Sequence, residues 1–196
     1  EYISNVKTQY YFTDKKVVEE IYDPREKFSN KGTYGHALLI AGSDGMMGAA
    51  VLAARACLHS GVGKLTVQVP EGQEKIMNFA LPEAMTQSTV GSWQLAMGIT
   101  AIGIGPGIGK SAETISQMKL LIQQLPTANS PLPTPLLIDA DGLNILSENK
   151  TWLGFLPTNT ILTPHPKEFA RLFGEEKESL KRLDLLKSTA VKYRSV

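Results

Sequence analysis

The sequence predicts an α/β domain with one mostly parallel, open sheet and helices on both faces. Three observations carry this prediction. Short apolar runs of strand character alternate with segments whose apolar residues recur at helical spacing. Residues 36–70 read as strand, glycine-rich turn, helix and strand, which is one βαβ unit. Four apolar runs end in glycine-rich or polar clusters, at 42–48, 105–109, 139–144 and 163–165. In a parallel sheet the C-terminal ends of the strands share one edge, the edge at which open α/β sheets bind ligands.

The elements follow in order. Residues 1–30 are polar and weakly patterned and read as a linker or arm; a short helix is expected over 14–21, capped by Thr13 or Asp14 and broken before Pro24. Residues 31–35 read as a flexible basic turn. Residues 36–41 form a buried strand, and 42–48 a glycine turn. Residues 49–60, rich in Ala and Leu, form a mostly apolar helix that Gly61 and Gly63 stop. A second strand is expected over 64–70, a helix near 73–79 and a short strand near 84–87. Residues 88–94 read as loop and helix start, with Trp93 packing rather than contacting a ligand. The next strand begins at Thr100 and runs into the second glycine loop. A helix over 112–125 follows, with Ile115, Met118, Leu121, Ile122 and Leu125 as its core stripe. The proline-rich segment 127–135 reads as a surface loop. A strand over 136–142 ends in acids, 143–156 is helical or broken helical, and 160–166 is a strand ending in a rigid turn. Two helices close the chain, at 167–173 and 180–193.

Composition limits the functional classes. A chain of 196 residues, 42% hydrophobic, can bury a sizeable core. A net charge of +1 gives no sign of nucleic acid or a charged membrane surface as partner. No secretory signal pattern and no membrane-spanning apolar run occur, so a cytoplasmic setting is expected. The lone Cys57 forms no internal disulfide and reads as a buried structural thiol. The chain opens at Glu1 rather than Met, as an excised or processed piece would.

The candidate site is the shared strand edge. Glycines at 42, 45 and 48 let backbone N–H groups approach an anion, and the following helix N-terminus adds partial positive charge. The motif is neither a P-loop, lacking Gly-Lys-Ser/Thr, nor GxGxxG. A tight connection with no ligand is the alternative. Asp139 and Asp141 project to opposite sides while the strand persists; they can bind a metal, orient a hydroxyl or cap the next helix. His165, held between two prolines at a strand end, reads as a ligand contact in preference to a structural histidine.

Four stretches carry a resemblance: KGTYGHALLIAGSDGMMGAAVLAARACLHSGVGKLTV at 31–67, AIGIGPGIG at 101–109, LLIDADGLNIL at 136–146 and ILTPHPKEFARLFG at 161–174. In this order and spacing they look like the ADP/ATP-dependent NAD(P)H-hydrate dehydratase family. The resemblance covers about 31–196 and implies a ribokinase-like domain there. Residues 1–30 resemble the linker that follows the epimerase half in bifunctional repair proteins.

The resemblance implies a metabolite-repair enzyme. In the family a nucleotide phosphorylates the ring hydroxyl of NAD(P)H hydrate, and phosphate then leaves as the ring nitrogen pushes electrons in. The implied co-substrate is ADP or ATP, with Mg2+ expected for the phosphoryl transfer, although the sequence shows no metal-ligand set. The hydrate-binding positions fall on Met47 in the first glycine loop, Gly107 and His165, with Gly48, Gly105, Asp141 and Asn144 along the same edge. A homo-oligomer is expected, since such domains commonly assemble as tetramers. The family's closing motifs, a Lys-Gly strand and a Gly-Thr-Gly-Asp loop whose Asp is the catalytic base, are absent from the 196 residues. The domain is therefore expected to be C-terminally incomplete, with its base beyond Val196, and this chain alone to be inactive. Lys167 also stands where the family commonly has glycine. The other readings are a small-molecule kinase of the same fold and a non-catalytic nucleotide-binding module.

Overall fold

Apolar strands that bury both faces need helices on both sides, and this requirement shapes the molecule. The computed structural model describes residues 7, 12–22, 24–89, 92–95, 97–125 and 134–196. In chain order the strands are β1 (His36–Ile40), β2 (Lys64–Val69), β3 (Met85–Ser88), β4 (Ala101–Ile104), β5 (Leu136–Ile138) and β6 (Ile161–Leu162). The helices are α1 (Lys15–Ile21), α2 (Met47–His59), α3 (Glu74–Ala80), α4 (Ala112–Gln124), α5 (Ala140–Glu148), α6 (Pro166–Phe173) and α7 (Ser179–Tyr193). Short 3-10 helices occupy Lys31–Tyr34 and Lys150–Phe155.

All six strands pair in parallel in the order β3-β2-β1-β4-β5-β6. The chain runs outward from β1 to β3, returns to place β4 on the other side of β1, and continues outward to β6. The order therefore reverses between β1 and β4, which is where doubly wound sheets open a crevice. Leu39 faces Val67 on one side and Gly103 on the other. At the far edge Ser195 bridges Thr160, and Leu162 N–H donates to the Val196 carbonyl at 2.9 Å, so the last two residues run beside β6.

Alternation along the pleat divides the core. Leu38, Ile40, Ile102, Ile104, Leu136 and Ile138 point to one face and meet Met118, Leu121 and Ile122 of α4 and Leu143 and Leu146 of α5. Ala37, Leu39, Ala41, Leu65, Val67 and Val69 point to the other, under α2 and Met77 of α3. The predicted α4 stripe is thus core, as is Trp93. Cys57 is half-buried against the second cluster, and burial pushes its thiol pKa up.

Several boundaries differ from expectation. The turn at 31–35 is not a flexible connection but a 3-10 helix, with the Asn30 side chain accepting from Gly32 N–H. It is pinned from below: Gly63 N–H donates to the Tyr34 carbonyl at 3.0 Å, and a Cβ on Gly63 would lie 1.7 Å from the Lys31 carbonyl oxygen. Residues 92–95 carry no helix start; Trp93 N–H instead donates to Gln117 Oε1 at 3.1 Å. The strand expected over 136–142 ends at Ile138, and the one over 160–166 spans two residues before Pro164, which has no N–H for the ladder. The helix expected from 49 begins at Met47. The expected loop at 127–135 falls mostly outside the described residues.

Candidate functional site

The site forms where the loops after β1 and β4 meet. Gly42 (φ +83°) and Gly45 (φ +78°) turn the first loop, and Gly42 N–H donates to the Pro106 carbonyl at 2.8 Å, joining the two loops. In the second loop Gly105 (φ +138°) packs so tightly on the next strand end that a Cβ would lie 1.8 Å from the Asp139 carbonyl oxygen. A Cβ on Gly107 (φ +69°) would lie 3.0 Å from the Met46 carbonyl oxygen. At Gly105 two backbones are in contact, whereas at Gly107 the Ala49 side chain is as close as the Met46 backbone, 3.0 Å, and the positive φ adds its own demand for glycine.

Met47 is therefore not a loop residue. It opens α2, and its side chain is 5% exposed within the core. Gly48 follows in the first helical turn, is exposed, and would have nothing within 4 Å of an added Cβ. No side chain caps α2; Ala49 N–H donates to the Met46 carbonyl at 3.2 Å, which leaves the N–H groups of Met47 and Gly48 for an anion.

Asp141 lies in the first turn of α5 rather than on a strand, because the chain turns sharply at Ala140, whose φ is +48°. The two acids therefore do not alternate across a pleat. Asp141 Oδ2 accepts from Gly109 N–H at 3.0 Å, tying the second glycine loop to α5. Asn144 Nδ2 donates to Asp141 Oδ1 at 3.4 Å, and the Asn144 Oδ1 is buried without a partner among the described residues. Asp139 holds the N-cap position with no side-chain capping bond.

His165 has a definite local function. It begins α6 as the N-cap: its Nδ1 accepts from Lys167 N–H at 3.1 Å and from Glu168 N–H at 3.4 Å, while Glu168 Oε2 accepts from His165 N–H at 2.9 Å. This reciprocal arrangement is a capping box. An accepting Nδ1 puts the ring proton on Nε2, which lies 3.4 Å from Glu168 Oε1. The side chain remains 55% exposed at the strand edge.

Beside these residues, on the α4 side of the crevice, lies a pocket of about 390 Å3 lined by Ser43, Asp44, Gln68, Trp93, Ile108 and Ser111 among others. None of the seven residues singled out from the sequence lines it. Gly109 links the two regions: it lines the pocket and its N–H donates to Asp141. Sequence reasoning missed Gln68 and Ser43. Gln68 gave no distinct signal, since it alternates with apolar residues as Lys64 and Thr66 do in the same strand. Among the described residues no group of three or more His, Cys, Asp or Glu side chains could hold a metal ion, and no helix is long and apolar enough to cross a membrane.

Comparison with known proteins agrees with this geometry. The chain is 33% identical over 163 residues to the bifunctional NAD(P)H-hydrate repair enzyme Nnr of Moorella thermoacetica, covering 76% of this chain and 29% of that protein. It is 36% identical over 154 residues to the ADP-dependent (S)-NAD(P)H-hydrate dehydratase of Staphylococcus aureus, covering 76% and 53% of the two. The solved structure of the ADP/ATP-dependent NAD(P)H-hydrate dehydratase of Bacillus subtilis, co-crystallised with ATP/Mg2+, matches with a TM-score of 0.76 at 30% identity, over 94% of this chain and 64% of that one. The chain thus spans less than two thirds of each of these relatives. A family profile described as NAD(P)H-hydrate dehydratase matches residues 37–196, through both glycine loops, the Asp141 turn and the His165 cap. The chain belongs to the NAD(P)H-hydrate dehydratase family.

Proposed function

We propose that this chain forms the hydrate-binding part of an ADP- or ATP-dependent (S)-NAD(P)H-hydrate dehydratase. The observation that carries the reading is that both glycine loops and the start of α5 are joined at the sheet's point of reversal, with the His165 turn farther along the same strand edge, after β6. In the proposed reaction the terminal phosphoryl group of the nucleotide passes to the ring hydroxyl of the hydrate. The ring nitrogen lone pair then expels phosphate with the C–O bonding electrons, and loss of a ring proton restores the dihydropyridine. Phosphate leaves far more readily than hydroxide, so the nucleotide drives an otherwise slow elimination.

This chain's own groups would bind and orient. The uncapped first turn of α2, at Met47 and Gly48, faces negative charge favourably. Gly105 and Gly107 let the second loop pack closely on the Asp139 turn and the start of α2, and Asp141 and Asn144 hold that loop in place. His165 presents a ring whose Nδ1 is already committed to the cap. Mg2+ would arrive on the nucleotide phosphates, as it commonly does; the described residues supply no cage for it. The catalytic base is placed outside these 196 residues, since no Gly-Thr-Gly-Asp string occurs in them. We also propose a homo-oligomer acting in the cytoplasm.

Gly48 provides the test. Because a Cβ there meets nothing within 4 Å, Gly48→Ala is expected to leave the melting temperature unchanged or raise it, worth about 0.5–1 kcal/mol in a helix. Gly48→Leu is expected to weaken binding of freshly prepared (S)-NADH hydrate at least tenfold in calorimetry, as a side chain would stand where the ligand approaches the helix. The wild-type chain is expected to bind the hydrate with ADP present and to form no NADH at 340 nm. Unchanged hydrate affinity in Gly48→Leu would sink the placement of the ligand, and steady NADH formation would sink the placement of the base.

A further inference from the structure

Gln68 is the penultimate residue of β2, is 1% exposed, and still lines the pocket beside the crevice. Its amide orientation is fixed by chemistry. Nε2 donates to the Gln94 backbone carbonyl at 2.7 Å, and a carbonyl oxygen can only accept, so the atom bonded to it must be the NH2 end. The other end, Oε1, is therefore a fixed acceptor. It is buried and has no hydrogen-bond partner among the described residues. Buried polar atoms are nearly always satisfied, and an unpartnered acceptor in a pocket wall points to a missing donor.

The surroundings limit what the donor can be. Trp93 is 8% exposed and offers a flat apolar wall, which suits an aromatic or conjugated ring. Ser43 Oγ, also buried and without a partner, stands on the opposite loop. The mouth of the pocket lies along the same pair of loops that carry Gly42 and Gly109, so a ligand lying along the crevice can place one end in it.

We infer that Gln68 is a specificity-determining residue whose Oε1 accepts a hydrogen bond from a ring-borne NH2 group at one end of the dinucleotide. This rests on the hydrate-dehydratase reading and deepens it. Two groups of an NAD(P)H-type dinucleotide have this chemistry, the primary carboxamide of the nicotinamide ring and the exocyclic amine of adenine. A neutral carboxamide side chain at this position accepts from either and discriminates against a carboxylate or a ring oxo group, which would set acceptor against acceptor.

The test is calorimetric titration of the wild-type chain with NADH, with its counterpart bearing a ring carboxylate in place of the carboxamide, and with its counterpart bearing hypoxanthine in place of adenine. One of the two altered dinucleotides is expected to bind about tenfold or more weakly than NADH, and which one identifies the end that enters the pocket. Gln68→Met, similar in volume but without the acceptor, is expected to bring the three affinities to within about twofold of one another. Gln68→Leu, also without the acceptor, is expected to do the same and serves as the deciding variant if Gln68→Met does not fold. Equal wild-type affinity for all three dinucleotides, or discrimination that survives in Gln68→Met, overturns the assignment and leaves the dehydratase reading standing. Failure of the wild type to bind any of the three overturns both.

Discussion

Gly105 shows how much of the site is decided by one missing atom. Its φ of +138° excludes most side chains, and an added Cβ would lie 1.8 Å from the Asp139 carbonyl oxygen and 2.7 Å from its carbon. Both atoms are backbone at a strand end, held by Asp139 N–H donating to the Ile104 carbonyl at 2.9 Å, so nothing there can swing away. Gly105→Ala is expected to destabilise the domain by about 3 kcal/mol, the upper range for overpacking, measured by chemical denaturation. A loss below about 1 kcal/mol would mean that the β4–α5 contact gives way easily, and the shape of the second loop would then not be set there. Gly48 is the counterexample: it lies on the same edge with open space around it. The same residue type thus serves close packing at one position and ligand access at the other, and only the geometry separates the two.

At the scale of elements, His165 combines a structural task with the proposed binding task, and the two can be separated. The N-cap position of α6 accepts Asn as readily as any residue, because its side-chain oxygen can take the N–H groups that His165 Nδ1 now takes. His165→Asn is expected to keep the melting temperature and lose hydrate affinity, whereas His165→Ala loses about 1 kcal/mol of stability as well. If His165→Asn binds hydrate as the wild type does, the imidazole is a cap and no more. The elements themselves were largely legible from the chain. The runs Leu38–Leu39–Ile40 and Ile102–Gly103–Ile104 read as buried strands because nothing polar interrupts them, and Gly61 and Gly174 marked helix ends through their tolerance of positive φ. The turn at Asp139 was not legible. Leu-Leu-Ile-Asp-Ala-Asp continues like a strand, and an alanine with φ +48° has no signature in residue type. Gln68 was hidden for a different reason. Thr66 and Gln68 read as the polar side of a strand, and only the long-range return of Trp93 and Gln94 covers that side. The glycine loops were recognisable as a site, but the pocket beside them depends on that return.

The molecule divides by how firmly each described part is held, and α1 is held weakly. α1 spans seven residues, buries none of them, and is shorter than the 12–15 residues at which isolated helices become even marginally stable. Its Asp14 cap accepts from Val17 N–H at 3.1 Å, but no described tertiary hydrogen bond fixes the helix to the sheet. Four residues past the end of α1 the chain is anchored. The Arg25 guanidinium donates to the Gly61 carbonyl at 2.8 Å and lies 4.6 Å from the centre of the Tyr34 ring, and Tyr34 Oη accepts from Glu26 N–H at 2.9 Å. These contacts join the segment before β1 to the end of α2. Opening of α1 should therefore need little free energy, while opening past Arg25 should disturb the entry to the sheet. Limited trypsin digestion is expected to cut first after Lys15 or Lys16, both exposed, and the trimmed product is expected to melt within about 2 °C of the intact chain. Replacing Arg25 with Ala should move the next cut inward and lower the melting temperature, because a cation–π contact and a hydrogen bond are lost together. Protection of Lys15 and Lys16 that increases with protein concentration would contradict a free arm and place α1 against a second copy of the chain. A drop of more than about 5 °C on trimming would instead mean that α1 packs on its own domain.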